Sequence, residues 1–437
     1  ASWPRMMARL HGVGGSARMG TMRTYLRRAG AGISVVALAA VSGFSGCSAD
    51  DPSGVAGPSV GGSSGDASTT GGSGGSSATG GGGGSGGGLV IPDADPPDKD
   101  TDQDGVLDTD EGSGDDDGDG KPNIDDPIND GPPPTLTFTA ISTTFNNPIG
   151  IDYHEPTKSV VVSVNYPTGT PSGFERIELD GKHQQFSDLT GLTEEVKIAT
   201  ARSGNPGGFV PGDLFVGNGI DGQIVRISAN GTQVTNPWVD LPGTNNGLMR
   251  GSLYVDRVGT FGGDLCAVTT SGEVWRITAA GVPTKIASAG VHLEGSIVVP
   301  DKPARFGPIA GKLIAGAEDQ GLLWAFAPDG TSVSYNLSVK VEDIDLISAK
   351  ENYFGVNYGT SKLLGAAADQ FKGMIGDVLL AEESVAAGTS GLFRLKWDGT
   401  QLVAEPIPLG ATSAIVGQWE HVTFAPTGIV EIPPPPA

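Results

Sequence analysis

Between residues 93 and 130 the chain carries sixteen acids and two lysines, and the acids are spaced rather than clumped. Asp100, Asp102, Asp104, Asp108 and Glu111 fall at positions 1, 3, 5, 9 and 12 of a twelve-residue run, with Gly105 at position 6. Asp115, Asp117, Asp119, Asn123 and Asp126 repeat those positions fifteen residues later, with Gly120 at position 6. Alternate residues of a tight loop all point inward, and calcium takes six to eight oxygens. Glycine at the sixth position permits the sharp bend between ligands. The spacing therefore predicts two calcium loops, with affinities in the extracellular range of about 0.1–1 mM. Without the ion the like charges repel and the segment expands; with it the segment stiffens into a compact spacer.

The register is that of an EF-hand loop. Yet no amphipathic helix flanks either loop, and Pro122 sits inside the second. Residues 98–130 resemble instead tandem thrombospondin type 3 repeats, and that resemblance implies calcium as the resident ion.

The elements that must position any further site read as all-β. Beyond Pro132-Pro133-Pro134, short Val/Ile/Leu/Phe runs alternate with Gly, Asn and Asp, and helical periodicity is nearly lost. One unit recurs five times, from Gly173 to Gly181, Gly222 to Gly231, Gly272 to Gly281, Gly321 to Gly330 and Gly391 to Gly399. Each copy runs from a glycine through a strand to a glycine turn. A Gly-(Asp/Lys)-(Leu/Val) step precedes four of them, at Gly212, Gly263, Gly311 and Gly376. A third element recurs at intervals near fifty residues. It reads Ile149-Gly-Ile-Asp, Glu195-Val-Lys-Ile, Arg250-Gly-Ser-Leu, Glu294-Gly-Ser-Ile, Glu342-Asp-Ile-Asp and Glu420-His-Val-Thr. That period predicts four-stranded blades and a six-bladed β-propeller over residues 134–437, with five or seven blades as alternatives. The sixth blade starts after Glu420 and is finished by residues 135–142, which closes the ring and removes sheet edges. The long fifth interval predicts an insertion near residues 351–369. This blade grammar resembles six-bladed propellers of the gluconolactonase-like superfamily, and the resemblance implies fold, not activity.

In a propeller the first strand of each blade lines the central channel. Glu195, Arg250, Glu294, Glu342 and Glu420 head those strands, with His292 and His421 beside them. Four carboxylates converging on one mouth are costly unless a cation or Arg250 compensates them. Gluconolactonase-like propellers hold a divalent metal on the channel axis, and no residue-by-residue match to those ligands is found here. Two readings stay open: an ion or ligand site at this mouth, or solvent-facing acids at loop ends with a structural Arg–Glu pairing. His154 and His183 read as exposed turn residues, and Cys266 as a buried apolar one.

The amino-terminal part reads as an address. Residues 1–46 carry six Arg and no acid, and an apolar run from Ala29 to Ala40 leads through small residues to Cys47. That is the grammar of a secretory signal, and the run is too short for a spanning helix of about 20 residues. Phe44-Ser45-Gly46-Cys47 resembles the lipobox of bacterial lipoproteins, with Phe44 where Leu is usual. The resemblance implies cleavage before Cys47 and acylation of its thiol, which anchors the chain stably when two or more acyl chains are added. An ordinary cleaved signal leaving a free Cys47 thiol is the alternative. Residues 1–21 precede Met22 and are read as lying ahead of the start. Residues 47–92 form the attachment point and a disordered Gly/Ser-rich linker, too poor in apolar side chains to fold. Residues 93–131 form the calcium segment.

Downstream of residue 46 the chain holds 21 basic and 50 acidic residues. Such a body repels nucleic acid, so no nucleic-acid partner is expected. Two function classes remain. One is a monomeric lipid-anchored protein of the outer membrane or cell surface, whose propeller binds a protein or glycan partner. The other is a metal-dependent hydrolase or lactonase working at the channel mouth. Within residues 134–437 no Gly-x-Ser-x-Gly, phosphate loop or zinc spacing occurs.

Overall fold

The computed structural model describes residues 99–128, 131–142, 146–165, 173–178, 180–192, 194–243, 245–250, 252–383, 389–410, 419–430 and 432. Cys47, the signal and the linker lie outside the described residues.

The described strands form six antiparallel sheets of four strands each. Their innermost strands are Ile151–His154, Ala199–Thr200, Ser252–Val255, Glu294–Val298, Val341–Leu346 and Trp419–Pro426, here numbered blades 1 to 6. Each inner strand touches the next, and the last closes on the first. The chain is a six-bladed β-propeller. The recurring element, headed by Glu or Arg in blades 2 to 6 and by Ile149 in blade 1, is the inner strand of each blade or leads directly into it.

The strand runs follow from burial on both faces. Val160, Val161 and Val162 in the second strand of blade 1 are all fully buried, because neighbouring blades cover both sides of the sheet. Burying each such side chain contributes roughly 1.5–3 kcal/mol. Outer strands are polar instead: Ser332–Asn336 is exposed at four of five positions. The closing glycines of the five repeats, Gly181, Gly231, Gly281, Gly330 and Gly399, take φ between 77° and 88°. L side chains are strained there, so the outer hairpins of blades 1 to 5 require them.

Blade 6 is assembled from three parts of the chain. Its strand order from the channel outward is Trp419–Pro426, Glu351–Asn357, Lys362–Ala366 and Thr139–Ser142. The amino-terminal strand does finish the blade, as its outermost member. The expected insertion near 351–369 is corrected: residues 351–366 are the two middle strands of blade 6. The chain leaves blade 5 at Leu346, builds that hairpin in its neighbour, and returns at Val378 to complete blade 5.

The acidic segment forms two loops, each followed by one short helical turn, Asp108–Glu111 and Asn123–Asp125. The first loop does more than space: it packs on the propeller. Val106 is 7% exposed, and a Cβ added to Gly376 before the second strand of blade 5 would lie 2.6 Å from it.

Candidate functional site

Two carboxylate clusters stand out among the described residues. The first is at the channel mouth where the inner strands begin. Glu195, Glu342 and Glu420, from blades 2, 5 and 6, bring oxygens within 4.8 Å of one another, and Glu294, Glu318 and Glu342 do the same. Glu195, Glu294, Glu342 and Glu420 are at most 6% exposed, so the reading of solvent-facing acids is overturned.

The cation that compensates them lies two residues after Glu195 on the same inner-strand element. Lys197 is fully buried and donates to the Glu342 carboxylate and, at 3.1 Å, to the Glu342 carbonyl. Arg250 joins as expected, its Nε 3.2 Å from Glu195 and 3.6 Å from Glu294. His292 Nε2 lies 3.0 Å from Glu294.

The electrostatics follow from that arrangement. Burial works against the Lys197 charge, but Glu342, Glu294 and Glu195 outweigh it and hold the ammonium well above the ordinary lysine range. Burial and neighbouring carboxylates push Glu420 to about 9; at Glu342 the same upward push is opposed by the Lys197 ammonium that pairs with it. Burial opposes ionisation of Glu294 too, yet Lys197 and His292 overcome it and hold Glu294 low. Glu318 is pushed to about 7 by burial and by Glu294. The mouth thus carries its own counter-cations and keeps protons on carboxyls that cannot all ionise.

His421 does not belong to this mouth. Strand alternation turns it away from Glu420 and deeper into the channel. There its Nδ1 accepts from the Ile151 amide at 3.0 Å and its Nε2 lies 3.4 Å from Asp343. Burial holds it well below the ordinary histidine range, and the charge of Lys197 adds to the effect. The cavity beside it is about 30 Å³ and is lined by Asp152, Thr200, Ser252, Arg257 and Asp343 among others. That is room for roughly two waters, not for a sugar-sized ligand.

The second cluster is the acidic segment, whose two loops fold alike. In the first, the Gly105 amide donates to Asp100 (3.2 Å), Asp104 to Asp102 (3.1 Å) and Val106 to Asp104 (2.7 Å). In the second, Gly120 donates to Asp115 (3.1 Å), Asp119 to Asp117 (2.9 Å) and Lys121 to Asp119 (2.8 Å). Position for position the ladders are the same, and Gly105 and Gly120 take φ of 103° and 93°. Asp100, Asp102 and Asp104 bring ligand atoms within 4.8 Å of one another, as do Asp115, Asp117 and Asp119.

The remaining predicted ligands divide. Glu111 is 8% exposed, and burial together with Asp102 and Asp100 pushes it to about 8. Asp102 is pushed to about 6 by burial and Asp100. Asp126, at the equivalent of Glu111, is buried and lies 3.3 Å from Lys121. Asp108 turns instead to the Thr101 amide and hydroxyl, at 2.7 and 2.6 Å, and Asn123 bonds the Asp116 amide and the Glu111 carbonyl. Those two shape the backbone. One oxygen each of Asp100, Asp102 and Glu111 is buried with no hydrogen-bond partner among the described residues.

Two histidine readings are corrected. His154 is fully buried, bonded to Thr157 and to the Gly212 carbonyl at 3.0 Å. His183 lies in the outer strand of blade 1, between the Ser142 hydroxyl and Glu175 Oε2 at 2.9 Å. A Ser–His–Glu order is the constellation of nucleophilic catalysis. Here Ser142 is buried, and the nearby cavity of about 350 Å³ is lined by Glu175 but by neither Ser142 nor His183. The trio therefore reads as a latch tying the last strand of blade 6 to blade 1. Cys266 is fully buried, as expected, and burial pushes its thiol up.

No family model matches this chain, and no curated protein matches it. Solved structures do. A virginiamycin B lyase from Staphylococcus aureus is 12% identical, with TM-score 0.39 over 64% of this chain and 76% of that one. A chain of a nidogen–laminin complex is 11% identical, with TM-score 0.40 over 64% and 84%. A gluconolactonase from Xanthomonas campestris is 12% identical, with TM-score 0.32 over 54% and 94%. Likeness at this level carries nothing about activity, and the fold rests on the six sheets of this chain itself.

Proposed function

We propose that the chain is an exported, lipid-anchored protein that binds calcium through residues 99–126 and presents its propeller to a protein or glycan partner at the cell surface. The observation that supports this best is the set of orphaned oxygens in the first loop. The half-buried Asp100 and Asp102 and the buried Glu111 each leave one buried oxygen unpaired, which is costly unless a ligand satisfies it. Acidic oxygens only, in a ring of alternating residues, suit a hard divalent cation. The membrane anchor and the outer-membrane or surface location rest on the Cys47 sequence alone.

Calorimetric titration of the full mature chain tests the reading. Two calcium sites are expected at about 0.1–1 mM, and Glu111→Gln weakens one of them by tenfold or more, about 1.4 kcal/mol. A chain that takes up no calcium at millimolar concentration overturns it.

The second reading, a metal-dependent hydrolase at the channel mouth, is favoured by the oxygens of Glu195, Glu342 and Glu420 within 4.8 Å of one another. A metal there would act as Lewis acid with a glutamate as base. Against it, the Lys197 ammonium already supplies counter-charge from inside this trio, and no buried oxygen of Glu195, Glu342 or Glu420 is left without a hydrogen-bond partner among the described residues. Equal metal content in wild type and Glu195→Gln/Glu420→Gln, with no turnover of a lactone panel, removes it.

A further inference from the structure

The two acidic loops have the same ladder but take their neutralising charge from different places. In the second, the cation is the loop's own: Lys121 lies 2.8 Å from Asp119 and 3.3 Å from Asp126, and Asp115 and Asp119 face solvent. In the first, it comes from the propeller. The connection after the inner strand of blade 4 carries Lys302 and Arg305. Lys302 Nζ lies 3.3 Å from Asp100 Oδ2 and donates to the Gln103 carbonyl at 2.9 Å. Arg305, itself 7% exposed, donates to Asp104 Oδ2, to the Ile375 carbonyl and, at 3.1 Å, to Asp377.

These contacts fall on one oxygen of each aspartate. Lys302 takes Asp100 Oδ2 and leaves Oδ1 buried without a partner, and Arg305 takes Asp104 Oδ2 while Oδ1 accepts the Val106 amide. The oxygens that propeller cations hold are thus distinct from the ones left orphaned. A ligand that is itself held by a second group is oriented and pre-paid in entropy, the usual role of residues behind a metal's direct ligands. Glu111, more than nine-tenths buried with an unpartnered oxygen beside this aspartate group, points to an ion there independently.

We infer that the first calcium site is shared with the propeller: Lys302 and Arg305 are positioning residues that hold Asp100 and Asp104 for the ion. Binding there locks residues 99–111 onto blades 4 and 5. This rests on the calcium reading above. By reciprocity, docking of the segment tightens ion binding as much as the ion tightens docking. The second loop binds on its own terms and serves as an internal control.

The experiment is two-site calorimetry on the full mature chain with calcium alone as probe, for wild type, Arg305→Met and Lys302→Ala. Loss of such a supporting partner lowers metal affinity by about 10–100-fold. Arg305→Met is expected to weaken one site by that factor and leave the other unchanged. Lys302→Ala, at a half-exposed position that no core packing depends on, moves the same site in the same direction by a smaller factor. It carries the test if Arg305→Met does not fold. Calcium should also protect the 99–111 stretch from protease in wild type but not in the weakened variant. Two unchanged sites, or two sites weakened equally, overturn the shared site while leaving calcium binding intact. No uptake by wild type overturns the calcium reading itself.

Discussion

The channel mouth and the first acidic loop each crowd three or more carboxylates into a few ångströms, and each solves the repulsion differently. The mouth brings a buried ammonium, a guanidinium and retained protons: Lys197 on Glu342, Arg250 between Glu195 and Glu294, and a proton on Glu420, whose pKa sits at about 9. The loop satisfies its outer oxygens with Lys302 and Arg305 and leaves inner ones of Asp100, Asp102 and Glu111 unpaired. Acid count alone does not separate a structural cluster from an ion site. What separates them is where the protein places counter-charge: Glu294 Oε1 makes no hydrogen bond at the mouth, yet it lies 3.0 Å from His292 and 3.6 Å from Arg250, whereas among the described residues no basic side chain pairs with Asp102 or Glu111.

Removing Lys197 breaks that distinction most forcefully. Lys197→Met leaves Glu342 and its neighbours buried beside no ammonium, and losing one partner of a buried ion pair costs about 3–5 kcal/mol. Urea unfolding should show a loss of that size. The variant should also become like the loop, so millimolar calcium or manganese should recover part of the lost stability, which it cannot do at the wild-type mouth. A loss below about 1 kcal/mol would mean that Lys197 does not hold the mouth together.

Retained protons are the next test. The folded pKa of Glu420 is raised far above that of an unfolded glutamate, so the native state holds a proton that the unfolded chain has released. Its contribution is therefore fully present below about pH 4.5 and declines as pH rises toward 9. Glu420→Gln should flatten the fall of stability with pH between 5 and 9, by up to about one proton's worth of slope. Unfolding free energies at several pH values measure it. Parallel curves for wild type and variant would show that Glu420 ionises normally in the fold.

Much of this was legible in the sequence because both clusters obey repeats. Five of the six inner-strand elements carry a charged residue at their head, and the loops recur at fifteen residues, so position alone marks Glu195, Glu294, Glu342 and Glu420, like Asp100, Asp102 and Asp104. It does not mark Lys197. In Glu195-Val-Lys-Ile it reads as one polar tooth of a half-exposed strand, whereas an inner strand is buried on both faces. Glu-x-Lys at the head of a channel strand was the available signal. Arg305 and Lys302 lie some two hundred residues from the loop they hold, and no local pattern spans that distance. The hairpin 351–366 reads as an insertion because it interrupts blade 5, and a repeat pattern does not say that an interruption completes the neighbouring blade.

The smallest effect is expected from a cluster that is neither kind. Ser142, His183 and Glu175 form a chain of hydrogen bonds holding the outermost strand of blade 6 to blade 1. Each link exchanges a bond to water for one within the protein, so its net worth is about 1 kcal/mol. Ser142→Ala removes the hydroxyl and leaves His183 bound to Glu175, beside partly exposed side chains where water can replace the lost partner. The urea midpoint should fall by that small amount, equally with and without calcium. A loss several times larger would show that this strand, and not the buried ammonium, governs closure of the ring. A calcium-dependent loss would show that the loops' ion reaches across the propeller. Either result would dissolve the division between a mouth that neutralises itself and a loop that waits for its cation.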